Sequence, residues 1–124
     1  MAYSLMSNKK NRDVTIHCSA ANVSLTIAGN TSTGNVATSD EVLTAGVINK
    51  VVWGLDTGSI QILRGSNLVA TFSQSGSIDY AALGMPITKD STGTLVVNFI
   101  GTANGYSVIS LKKVGAGSSD YLKN

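Results

Sequence analysis

Apolar residues in this chain recur with a period of two, and no stretch shows convincing helical periodicity. Residues 13–19 place Val14, Ile16 and Cys18 on one side and Thr15, His17 and Ser19 on the other. Val23, Leu25 and Ile27 repeat the pattern, and Leu95, Val97 and Phe99 mark one face of a later segment. In an extended chain successive side chains point to opposite faces, so this pattern buries one face of a strand and leaves the other wet. Further strands are expected over 47–55, 59–64, 68–73, 94–100 and 106–114. The Gly/Thr/Ser/Asn stretch 29–39 reads as a long loop or a poorly formed edge.

Short strands between turn clusters predict an all-β protein, an antiparallel β-sandwich of Ig-like or jelly-roll-like type. The core is expected to centre on Ile16, Leu25, Val51, Trp53, Ile60, Ile62, Phe72, Val97 and Phe99. With 124 residues, no repeat and no linker, one domain over 13–114 is expected, with an N-terminal arm (1–12) and a C-terminal tail (115–124). Two hairpins are predicted. Asn104-Gly105 suits the positive φ values of a type I′ turn between the last two strands. Asp56-Thr57-Gly58-Ser59 reads as a corner that sets Leu55 against Ile60, Trp53 against Ile62 and Val51 against Arg64. Asp56 then occupies the first position of a type I turn and caps backbone N–H groups.

Composition bears on partners. The chain carries 16 Ser, 12 Thr, 10 Asn and 13 Gly, only 13% charged residues, and a formal charge of +2. Such a neutral, hydroxyl-rich surface argues against nucleic acid as the partner. Six of the nine cations lie near the ends: Lys9, Lys10 and Arg12 in the arm, and Lys112, Lys113 and Lys123 towards the tail. The first 13 residues contain no apolar h-region, so no secretory signal is expected. Residues 14–39 lack Asp, Glu, Lys and Arg, yet are too rich in Thr, Ser, Asn and Gly to span a bilayer. Cys18 is the single cysteine, which rules out an internal disulfide.

The sharpest catalytic motif is Asp56-Thr57-Gly58, which matches the aspartic-protease loop. That chemistry needs two carboxylates sharing a proton, so a short chain would supply the second by dimerising, as retroviral-type proteases do. Trp53-Gly54-Leu55 before the motif, and Phe99-Ile100-Gly101 as a downstream apolar-apolar-Gly element, fit partly. The usual residues after Ser59 and a Gly-rich flap are missing. The turn reading explains more of the sequence. His17 and Cys18 are adjacent strand residues, point to opposite faces and cannot form a dyad. No Cys/His/Asp cluster has metal-ligand spacing, no phosphate loop precedes a helix, and no cofactor is expected. Tyr80 and Tyr106, near turns, are the candidates for stacking on a sugar. The basic arm reads better as a protein-contacting segment than as a phosphate binder.

The stretch from about 49 to 115 includes the Trp53 strand, Gly58-Ser59-Ile60-x-Ile62-x-Arg64-Gly65, Thr92-Gly93-Thr94-Leu95-Val96-Val97 and the closing Leu111-Lys112-Lys113. It resembles small β-rich virion proteins of tailed, especially marine, bacteriophages. The resemblance implies a non-enzymatic capsid decoration (cement) protein on the virion surface, made in the host cytoplasm. Its partner would be the major capsid protein and, on the lattice, neighbouring copies of itself. A reducing cytoplasm agrees with a lone thiol, and many weak contacts on a lattice add through avidity. Lys9, Lys10, Arg12, Tyr121 and Lys123 are the expected partner-binding residues, with no catalytic or metal site. The second reading is a carbohydrate-binding adhesin domain of a tail or fibre. The third is a dimeric aspartic protease using Asp56.

Overall fold

A computed structural model describes residues 3–6, 13–19, 22–25, 43–84 and 93–115. Within them lie six strands: β1 (Tyr3–Met6), β2 (Val14–Ser19), β3 (Val23–Leu25), β4 (Leu43–Arg64), β5 (Asn67–Asp79) and β6 (Leu95–Gly115). All pairings are antiparallel and belong to one sheet, in the order β1-β2-β6-β4-β5 with β3 also on β6. The all-β antiparallel expectation is met. The sheet curls until it is nearly a closed barrel.

The frame is the pair β4–β6, 22 and 21 residues long, paired from Leu43 opposite Gly115 to Arg64 opposite Leu95, with register shifts at Leu43/Ala45 and Ile48/Lys50 as well as at the bend. On the other side of β6, β2 covers Tyr106 to Leu111 and β3 covers Leu95 to Val97. β2 and β3 thus act as one interrupted strand, and Asn22 between them accepts a hydrogen bond from the Phe99 N–H through Oδ1 at 2.9 Å.

Halfway along, the long strands bend together. Four residues of β4 (55–58) lie between the Gly54–Ser75 and Ser59–Ser73 pairs, against the single residue Gln74 on β5. Three residues of β6 (101–103) lie between Asn104 and Ile100, against Gly58 alone on β4. Bulges of this kind add residues to one strand and turn it sharply. Positive φ at Gly58 (77°), Gly101 (69°) and Gly105 (149°), with Gln74 at 62°, supplies the backbone conformations needed.

The bend makes one core from the inner faces of both halves. Val14, Ile16, Cys18, Ile48, Val51, Leu55, Ile109 and Leu111 come from one half. Val23, Leu25, Ile60, Ile62, Leu95 and Val97 come from the other. Each buried Val, Leu or Ile contributes roughly 1.5–3 kcal/mol, so the two faces stabilise each other strongly. Of the expected core, Ile16, Leu25, Val51, Ile60, Ile62 and Val97 are buried, while Trp53, Phe72 and Phe99 pack partly buried at its margin. Trp53 stacks on Phe72 with centroids 4.0 Å apart, and its Nε1–H donates to the Ser73 carbonyl at 3.0 Å. That pair closes the side of the core next to edge strand β5.

Both predicted hairpins are absent. Residues 56–59 lie inside β4 and residues 104–105 inside β6. Val51 faces Ile78, Trp53 faces Gly76 and Ile60 faces Phe72, in place of the expected Arg64, Ile62 and Leu55. A bulge preserves the inward parity of Leu55 and Ile60 as well as a hairpin does, so the apolar pattern does not separate the two. Asn104 also lacks the positive φ that a type I′ turn requires, since Gln74 is the only non-glycine with positive φ among the described residues. The actual reversal is at Gly65-Ser66, where Gly65 has φ 61° and Arg64 pairs with Asn67.

The expected arm contributes a strand: Tyr3–Met6 pairs with β2, and Tyr3 and Leu5 pack on the core. Gly115 ends β6 rather than opening a tail.

Candidate functional site

The residues nominated for partner contact, Lys9, Lys10, Arg12, Tyr121 and Lys123, lie outside the described residues. Of the cations near the C-terminus, Lys112 is exposed, whereas Lys113 is buried.

Arg64, within the Gly-Ser-Ile-x-Ile-x-Arg-Gly motif, is fully buried. Its Nη1 donates to the Gly46 carbonyl at 2.6 Å, and Nε and Nη2 donate to the Gly93 carbonyl at 3.2 and 3.0 Å. Gly46 belongs to the first half of β4 and Arg64 to the end of the second half. The planar guanidinium therefore latches the two halves of the bent sheet together, using several donors at fixed angles. The apolar context of this arginine signals its burial, but the remote carbonyls it serves leave no local mark in the sequence.

The Asp-Thr-Gly motif does not assemble a dyad within the chain. Asp56 is exposed in the bend, and its Oδ2 accepts a long hydrogen bond from Asn104 Nδ2 at 3.5 Å. Asp79 stands at the far end of β5, opposite Lys50, and its Oδ1 caps the Ala82 N–H at 2.9 Å. Among the described residues no group of three or more His, Cys, Asp or Glu is placed to hold a metal. His17 and Cys18 lie on opposite faces, as expected. The buried thiol is pushed up from 9.0 to about 12 by desolvation, which keeps it protonated and unreactive at neutral pH.

The two tyrosines separate. Tyr80 is half-buried against the core, and burial raises its phenol pKa. Tyr106 is 41% exposed on the outer face. There the cross-strand row runs Ser19, Tyr106, Gly54, Ser75, and the next runs Ser4, His17, Val108, Val52, Ser77. The Tyr106 ring lies over Gly54: a β-carbon there would sit 2.8 Å from Cε1 and 3.1 Å from Cζ and Oη. Sheet side chains usually stand up from the surface, and the missing side chain at position 54 lets this one lie down. His17 runs nearly parallel beside it, with centroids 6.1 Å apart and planes 18° apart. Asp56 and Asn104 occupy the adjoining bend. Position in the sequence nominated Tyr106; nothing local to it announced that His17, Gly54 and Asp56 would be its neighbours.

No protein-family model, curated protein or solved structure matches this chain.

Proposed function

We propose that this chain is a non-enzymatic accessory virion protein that decorates a capsid, binding the major capsid protein and stabilising the shell. The carrying observation is the full-length β4–β6 pair, bent upon itself and latched by Arg64. A cement protein must transmit load between the subunits it bridges, and one continuous sheet resists shear better than separately folded loops. Two further features support the reading. The described surface is rich in hydroxyl and amide groups, with Ser19, Ser24, Ser59, Gln61, Ser73, Ser75, Ser77 and Asn98, and its exposed charges, Asp13, Lys50, Asp56, Asp79 and Lys112, are few and of both signs. The acids Asp56 and Asp79 stand apart, each engaged with its own local partner.

Attachment falls to the ends. Lys9, Lys10 and Arg12, with Tyr121 and Lys123, would meet an acidic capsid surface, where charge complementarity sets register and on-rate more than affinity. Because Tyr3–Met6 is part of the sheet, the arm is best tested without deleting it. Triple charge reversal of Lys9, Lys10 and Arg12 to Glu should abolish co-sedimentation with assembled shells while leaving the thermal midpoint of the free protein unchanged. Undiminished co-sedimentation of the variant would overturn the clamp, and failure of the native chain to co-sediment would overturn the function.

A further inference from the structure

We propose that the recumbent ring of Tyr106, widened by His17 and flanked by Asp56 and Asn104, is a binding platform for a neutral saccharide. This goes beyond shell attachment and does not depend on it.

The argument starts at Gly54. With no β-carbon there, Tyr106 spends one ring face on the sheet backbone and leaves the other for solvent, at 41% exposure of the residue. His17 stacks nearly parallel to the ring, with planes 18° apart, and at 6.1 Å between centroids it is not in close face-to-face contact with it. Two nearly parallel rings offer a flat, electron-rich area to the weakly positive C–H groups on one side of a pyranose ring. The hydroxyl groups of such a ring then need donors and acceptors at its margin. Ser19 lies directly across from Tyr106, Ser75 is next to Gly54, and the Asp56–Asn104 pair stands in the bend two residues from Tyr106. A carboxylate already oriented by an amide can accept from one sugar hydroxyl while the amide serves its neighbour.

Charge and area select this occupant over others. The two cross-strand rows that carry Tyr106 and His17 contain no Asp, Glu, Lys or Arg, so an anionic ligand meets no cation in them, and the exposed Asp56 at the margin would repel it. A protein partner needs roughly 800 Å² per side around an apolar centre. In this corner the exposed large apolar residues are Tyr106 and Ile100 alone among the described residues. That is enough for a sugar ring and too little for a protein interface.

The test is titration of the full chain with neutral oligosaccharides (maltohexaose, cellohexaose, mannohexaose, chitohexaose) and a neutral-glycan array, followed calorimetrically and by the His17 and Tyr106 ring proton shifts. At least one neutral glycan should bind and move both rings. Tyr106→Ala should weaken that binding about tenfold or more, the worth of one aromatic contact, with an unchanged thermal midpoint. Tyr106→Phe should keep the affinity. Gly54→Ala, whose methyl forces the ring to swing away while the core is untouched, should lose it. Absence of binding in the millimolar range, or binding indifferent to Tyr106→Ala and Gly54→Ala, would overturn the proposal. So would ring shifts produced by capsid protein in place of glycans.

Discussion

Asn104 Nδ2 donates to Asp56 Oδ2 at 3.5 Å across 48 residues of sequence. Each residue belongs to a short turn-like pattern, Asp56-Thr57-Gly58-Ser59 or Asn104-Gly105, and each instead lies within a strand that continues through the bend. Two adjacent long strands must bend at the same place if their pairing is to survive, so Asp56-Thr57-Gly58 and Asn104-Gly105 are one corner written twice.

Gly105 is the tightest point of that corner. A β-carbon there would run into the Gly54 carbonyl oxygen and meet the Leu55 Cα at 2.9 Å, at φ 149°. Gly105→Ala is expected to cost about 2 kcal/mol or more, from strain and the forced separation of β4 and β6. Asp56→Ala, which loses only a long exposed hydrogen bond, should cost less than about 1 kcal/mol. Urea denaturation of both variants checks the contrast.

Removing the Arg64 latch should be costly. Arg64→Met removes the donors to the buried Gly46 carbonyl and the part-buried Gly93 carbonyl, and a buried acceptor left unsatisfied costs about 1–3 kcal/mol. Arg64→Lys keeps the charge but cannot reach both carbonyls with a planar fork, so it should fall between Met and the native chain. Thermal midpoints of the three proteins, in that order, are the measurement.

Ser107 behaves oppositely. It is buried opposite both Cys18 and Trp53, and its Oγ makes no hydrogen bond. Ser107→Ala removes a desolvated hydroxyl without opening a large cavity, and stability should stay level or rise by up to about 1 kcal/mol. Loss of more than that on denaturation would show that the hydroxyl has a partner.

Cys18 supplies a pH signature. Its folded pKa of about 12 lies above the ordinary thiol value of 9.0, so the folded state holds the thiol proton more tightly than the unfolded state does. The associated stability is fully present below about pH 9 and is lost as pH rises from there toward 12. Cys18→Ala should flatten that alkaline fall. In the native chain the thiol should resist a disulfide reagent at pH 8 and react promptly in denaturant.

Much of this was legible in the residues. Alternation at Val14, Ile16 and Cys18, and at Leu95 and Val97, placed the strands and most of the core, because burial of one sheet face writes itself directly into a period of two. Continuity through residues 56–59 and 101–105 was not legible. Gly58 and Gly105 permit a bulge and a turn equally, and the choice is made by the neighbouring strand. Tyr3–Met6 is too short to show a period, and its place in the sheet comes from pairing with β2. The Gly46 and Gly93 carbonyls that Arg64 serves are distant in sequence and leave no local mark. At the candidate platform Tyr106 could be singled out, but the glycine beneath it lies 52 positions away, and only strand register joins them.

The proposed role on the shell is tested most directly by reconstructing the intact virus particle by electron cryomicroscopy. The account predicts one bent, continuous antiparallel sheet on the outer capsid surface, with density for residues 7–12 and 116–124 reaching neighbouring capsid subunits. A shell without that density, or the sheet found on the tail alone, would contradict it.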